Sequence, residues 1–156
     1  MEPQNVRQEW LKVLANASSG ALGIAWARAA AAVRQPGSIT MLRHPETGLA
    51  MIRARADGSG RPFNLGEATI TRCVVAVTDS CDETAIMGVG YVLGRDKRHA
   101  EFTAVFDALF QDSSMDTVSR ETILAPLRHT QKQTESRQAA KTAATRVDFF
   151  TMVRGE

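Results

Sequence analysis

The stretch from Gly90 to Asp112 constrains the fold most, because its periodicity changes part-way along. Val89, Tyr91 and Leu93 alternate with Gly90, Val92 and Gly94. This two-residue repeat predicts a strand whose glycine-bearing face lies close to other backbone. From Asp96 the repeat lengthens, and Phe102, Val105, Phe106, Leu109 and Phe110 recur at three- and four-residue spacing. That stripe predicts a helix with its aromatic face in the core. Asp96 is the natural N-cap, since its carboxylate can accept from the free N–H groups of the first turn.

Arg95, Lys97, Arg98 and His99 therefore crowd a helix N-terminus, the end whose dipole favours anions. A phosphate or phosphonate held among them would resolve the conflict. So would side chains that radiate into water and pair with Asp96 and Glu101. His99 and Glu101 are also the candidate base and acid of the chain, although the charge of Glu101 suits the first helical turn for its own sake.

A chain of 156 residues suits one domain, 1–156, able to bury a core without disulfide staples. With 44% hydrophobic and 23% charged residues, the composition is that of an ordinary globular protein. The formal charge is +2 with basic residues scattered and aromatics at 6%, which argues against nucleic-acid binding. The first residues lack the apolar run of a secretory signal, and Ala21 to Val33 is interrupted by Arg28 and too short to span a bilayer. A cytoplasmic protein without membrane contact is expected. Cys73 and Cys81 have neither paired spacing nor a neighbouring His, so free thiols and no metal site are expected. There is no G-x-S-x-G elbow, no H-E-x-x-H, no Walker loop and no cysteine cluster.

Two amphipathic stripes, Val6, Trp10, Val13, Leu14, Ala17 and then Leu22, Ala25, Trp26, Ala29, Val33, predict a helical hairpin over 5–35 with Ser18 or Ser19 as the second cap. A sheet-and-helix core over 38–127 follows. Within it, strands Ser38–Arg43 and Leu49–Ala56 are expected to flank a turn at His44–Gly48, the alternation of the second sending Arg53 and Arg55 to one side. Gly66 to Val77 predicts a long strand with Arg72 as its one internal charge, paired with an acid such as Glu67 or reaching a ligand or partner. Pro126 suits the first turn of a further helix, and 130–144 reads as a polar helix with little to bury. The tail, 145–154, is strand-like and apolar and must be docked. The expected class is α+β, a largely antiparallel sheet flanked by helices.

Three stretches together resemble the PhnG family, the G subunit of the bacterial carbon–phosphorus lyase core complex. They are Gly66-Glu67-Ala68-Thr69-Ile70-Thr71-Arg72, the run from Val92 to Glu101, and the tail Thr145-Arg146-Val147-Asp148-Phe149-Phe150-Thr151-Met152-Val153-Arg154-Gly155. Trp10 and Leu124-Ala125-Pro126-Leu127 also fit, so the similarity runs nearly end to end, although the loop Thr78 to Gly88 is longer than the family pattern. The resemblance implies a non-autonomous subunit in alkylphosphonate breakdown, assembled with H, I, J and L subunits and in direct contact with the I subunit. The reaction it implies is displacement of adenine from the ribose of MgATP by an alkylphosphonate, with no cofactor in this chain. Arg72, Arg95, Lys97 and Arg98 become candidates for anion or partner binding. Arg146, Asp148, Phe149, Phe150, Met152 and Arg154 become candidate interface residues. A purely structural scaffold and an independent small enzyme on a phosphorylated substrate, using His99 and Glu101, are the alternatives.

Overall fold

The computed structural model describes residues 3–32, 38–56, 60–78, 85–112 and 115–147. In chain order these form α1 (Pro3–Asn16), α2 (Ser19–Ala32), β1 (Ser38–Ala54), β2 (Phe63–Thr78), β3 (Ala85–Leu93), α3 (Lys97–Gln111) and α4 (Thr117–Ala144). The strands make an antiparallel meander in the order β1-β2-β3, and helices cover one face of it, which is the α+β arrangement expected. Among the described residues no helix is long and apolar enough to cross a membrane.

The strand-to-helix switch behaves as its period predicts. Asp96 adopts an extended conformation and accepts from the N–H of His99 at 3.0 Å, so α3 begins at Lys97. Gly94, at φ +96°, makes the left-handed step that turns β3 into α3. Its N–H donates to Thr69 O at 2.8 Å and its carbonyl accepts from Thr71 Oγ1 at 2.8 Å, which ties the corner to β2. Gly88, Gly90 and Val92 face α3 and are buried.

The core sits between the sheet and the first three helices. Trp10 meets Phe110 edge-on at 5.8 Å, Trp26 meets Phe106 at 5.9 Å, and the two phenylalanines lie 5.7 Å apart. Phe106 and Phe110 are fully buried, and each contributes about 1.5–3 kcal/mol. Ser18 caps α2 by accepting from the N–H of Ala21 at 3.2 Å, and both N-terminal helices pack on α3.

Asp107 is fully buried in the middle of the α3 stripe. It accepts from Arg7 Nη2 at 2.7 Å, Arg7 Nε at 3.2 Å, Trp10 Nε1 at 3.0 Å and the N–H of Val89 at 2.9 Å. Gln111 Nε2 donates to the carbonyl of Met87 at 3.0 Å. Asp107 and Gln111 together satisfy part of the outer edge of β3, an edge that would otherwise be open to further strands.

The structure corrects two expected boundaries. The turn expected at His44–Gly48 is absent: β1 runs unbroken and pairs with β2 from Ser38↔Thr78 to Ala54↔Phe63. The pairing shifts between Met41 and Arg43 and again between Arg43 and Glu46, so each step places one extra residue on β1. Pro45 falls in the second irregularity, where a missing N–H costs no ladder bond, and the turn-like His-Pro-Glu sequence is read as a bulge. The polar helix expected over 130–144 is present as the second half of α4, which starts earlier, at Thr117, and carries Pro126 inside its 28 residues instead of in its first turn. Proline frees the carbonyl of Thr122, which is exposed and open to water, so the helix continues past it.

Two segments project from this body. β1 beyond Gly48 and β2 before Ile70 pair only with each other, a two-stranded arm about 20 Å long. Ile123, Leu124 and Leu127 anchor the first half of α4, and Gln131 Nε2 donates to Val13 O at 2.6 Å. From residue 132 to residue 144 every position is exposed. This length is about 20 Å of helix, and only Thr134 and Glu135 near its start line a cleft with α1.

Candidate functional site

The cations singled out in the sequence lie in two places. Arg95, Lys97 and Arg98 sit exposed at the start of α3, and among the described residues neither Arg95 nor Lys97 has an ion-pair partner. Arg98 lies over the ring of Phe102 at 5.7 Å. The Asp96 carboxylate caps this helix end, and its pKa is lowered first by the His99 N–H and then by the Ser19 hydroxyl. The cluster is thus a patch of solvated positive charge beside an N-terminus that is already capped.

His99 is buried, and its Nε2 lies 2.9 Å from the carbonyl of Leu14 near the end of α1. This contact ties α1 to α3, and it holds the ring among core residues. Glu101 is half-buried and close enough to the Cys73 thiol to act on it by charge.

Arg72 lies on the opposite face of the sheet, because Thr71, Cys73, Val75 and Val77 point inward to the helices. Its acid is Glu46 and not Glu67. The bulges bring Glu46 opposite Arg72, and Arg72 Nε reaches Glu46 Oε1 at 2.6 Å. Arg43 Nη1 reaches the same oxygen at 2.7 Å, and Tyr91 is the cross-strand neighbour of Arg72 on β3. Glu46 titrates below the usual carboxylate range, held down first by Arg72 and then by Arg43. Two guanidiniums around one carboxylate leave a net positive charge on a flat surface. The sheet separates this group from Arg98, so the four cations do not converge on one site.

Other chemistry is thinly represented. Among the described residues no group of His, Cys, Asp and Glu could hold a metal ion. Burial, with the charge of Glu101 second, pushes the Cys73 thiol up to about 11. At pH 8 only about one Cys73 in a thousand is then a thiolate. Iodoacetamide at that pH is expected to leave Cys73 unmodified in the folded chain and to alkylate it in urea, as peptide mapping will read. Cys81 lies outside the described residues, as do Asp148, Phe149, Phe150, Met152 and Arg154 of the tail. An apolar groove of about 510 Å³ runs between α2 and α4, with Arg28 as its one charged lining residue. None of the candidate site residues lines it.

Residues 5–155 match the family described as "Phosphonate metabolism protein PhnG". The chain belongs to the PhnG family. A relative from Rhizobium meliloti (strain 1021), named alpha-D-ribose 1-methylphosphonate 5-triphosphate synthase subunit PhnG, is 43% identical over 150 residues, which cover 96% of this chain and 90% of the relative. The matched range includes all seven elements except the first two residues of α1. Sequence reasoning missed Glu46, Arg43 and Asp107 in this PhnG-family chain. A lone acid inside the apolar run from Ala104 to Phe110 was the available signal for Asp107.

Proposed function

We infer that the chain is a non-catalytic subunit of an alpha-D-ribose 1-methylphosphonate 5-triphosphate synthase acting in phosphonate catabolism. Its likeness to the Rhizobium meliloti subunit, 43% identity across 96% of the chain, carries this reading. In the reaction, a phosphonate oxygen forms a bond to the anomeric carbon of the ribose of MgATP, the bond to the base breaks, and adenine leaves with a proton. Such a displacement needs a stabilised cationic ribose, a placed nucleophile, a protonated leaving group and a held triphosphate. Of these needs, the exposed cations Arg72, Arg95, Lys97 and Arg98 suit the holding of anions. His99 is bound to a carbonyl, and the Cys73 thiol is protonated and buried.

The partners in this reading are the H, I, J and L subunits, with the I subunit in direct contact. Arg72, Arg95, Lys97 and Arg98 serve in it as contacts for acidic partner surfaces or for the anionic substrates. Arg146, Asp148, Phe149, Phe150, Met152 and Arg154 serve as interface residues of the tail. Reconstitution tests the reading. The purified chain with MgATP and methylphosphonate is expected to release no adenine above background, whereas the chain with H, I and L subunits releases it in step with phosphonate consumption. Adenine release by the isolated chain, lost in His99→Ala, would overturn the accessory role. Phosphonate-coupled release by the other subunits without this chain would overturn its need.

A further inference from the structure

The face of the sheet turned away from the helices is uncovered by any described element. On it stand Met87, Tyr91 and Leu93 of β3, exposed by 56%, 53% and 73%, and in the arm Ile52 and Phe63 at 41% and 47%. Register places these residues together. Tyr91 is opposite Arg72, Leu93 opposite Ile70, Ile52 opposite Gly66 and Phe63 opposite Ala54, and directly paired residues share a face. An antiparallel sheet that faces water on one side normally presents polar side chains there. Here polar character is confined largely to the Arg43–Glu46–Arg72 group in the middle of an apolar strip. A two-stranded ribbon is also marginal by itself in water, so the arm requires a neighbour.

We propose that this outer sheet face and its arm form one continuous docking surface for a different protein subunit, one that presents an apolar ridge with carboxylates facing Arg43 and Arg72. The inference rests on the subunit reading given above and adds the surface and the chemistry of the partner. Charge selects the occupant. Arg43 and Arg72 share a single Glu46, so the middle of the face carries a net positive charge. Two copies of the chain placed face to face would bring four guanidiniums against two carboxylates, a repulsive arrangement once water is excluded. An acidic partner neutralises the same group.

The test uses the full chain co-expressed with the other subunits of the complex. Hydroxyl-radical footprinting is expected to label Met87 and Tyr91 in the free chain and to lose that labelling in the assembled complex; undiminished labelling would overturn the proposal. The double variant Leu93→Asp with Phe63→Asp changes only exposed positions. It should keep the melting temperature of the free chain while weakening assembly at least about a hundredfold, as loss of a central apolar anchor does. Arg43→Glu with Arg72→Glu should weaken assembly too, and stronger assembly would contradict an acidic partner. A wild-type chain that never co-purifies sinks the subunit reading itself. A wild-type chain that assembles while the double variant assembles equally well sinks the surface alone. A free chain that forms a dimer dispersed by Leu93→Asp would identify a second copy as the occupant and overturn the charge argument.

Discussion

Asp107→Ala is expected to lower the stability of the isolated chain by about 3–5 kcal/mol, the cost of removing one partner from a buried ionic group. The carboxylate has no exposure and accepts from three different elements: α1 through Arg7 and Trp10, β3 through the Val89 N–H, and α3 itself through Gln111 at 3.2 Å. Alanine leaves the Trp10 indole N–H and the Val89 amide without an acceptor in the core. Arg7 is 38% exposed and can turn to water, so Arg7→Ala should cost clearly less. For a chain of this size each kcal/mol is worth about 2–4 °C, which puts the Asp107→Ala midpoint about 6–20 °C below wild type. Urea denaturation with both variants is the measurement. A loss under about 1 kcal/mol for Asp107→Ala would mean that water replaces the carboxylate at no cost and that the network does not hold the helices to β3.

Gly88→Ala and Gly90→Ala should each be at least as damaging as the worst core overpacking, about 3 kcal/mol or more. A methyl at Gly88 would stand 2.0 Å from the Ala104 carbonyl oxygen and 2.6 Å from the Ala108 nitrogen, and one at Gly90 would stand 2.1 Å from the Ala100 oxygen. These neighbours are helix backbone, which has no rotamer to change. α3 must therefore withdraw from β3 along its length, and the dispersion contacts between them are lost together. Gly48→Ala and Gly66→Ala provide the contrast, since a methyl at either meets nothing within 4 Å. Those substitutions are expected to change stability by less than about 1 kcal/mol. Chemical denaturation of the four variants separates close packing from a general penalty on glycine replacement. Equal losses at all four positions would refute the close-packing account.

Legibility in the sequence followed how local the determinant is. Asp96 and the Phe102–Phe110 stripe announce α3 because a cap and a period are read within fifteen residues, and the helix begins and ends where they indicate. Ser18 as a cap and the long β2 were legible for the same reason. β1 was not, because a proline and a glycine three residues apart are turn signals locally, and only the pairing partner across the sheet makes them a bulge. The partner of Arg72 depends on that register, so an error in the turn carries directly to Glu46. Pro126 misleads for a related reason, since its cost depends on whether the freed Thr122 carbonyl meets water, which no local pattern reveals. The arm and the cation cluster were visible as residues but not as places, since three cations follow one another at a helix start while Arg72 lies behind the sheet.

The two irregularities in β1 act on the strand as paired insertions act on a reading frame. Up to Met41 the odd-numbered residues of β1 face the helices; at Arg43, opposite Val74, odd numbers face away; at Thr47, opposite Thr71, they face the helices again. One added residue inverts the strand and the second restores it, so Leu49 and Met51 of the arm recover the phase of Ile39 and Met41. Deleting the extra residue of one irregularity, Leu42 for example, would close that bulge into a regular ladder while Ile52 stays opposite Gly66 and Met51 opposite Glu67. Inserting a residue elsewhere in β1 without a new bulge would instead slide the arm and turn its faces over. In descent, the bulges are therefore where this strand can change its length and keep its faces.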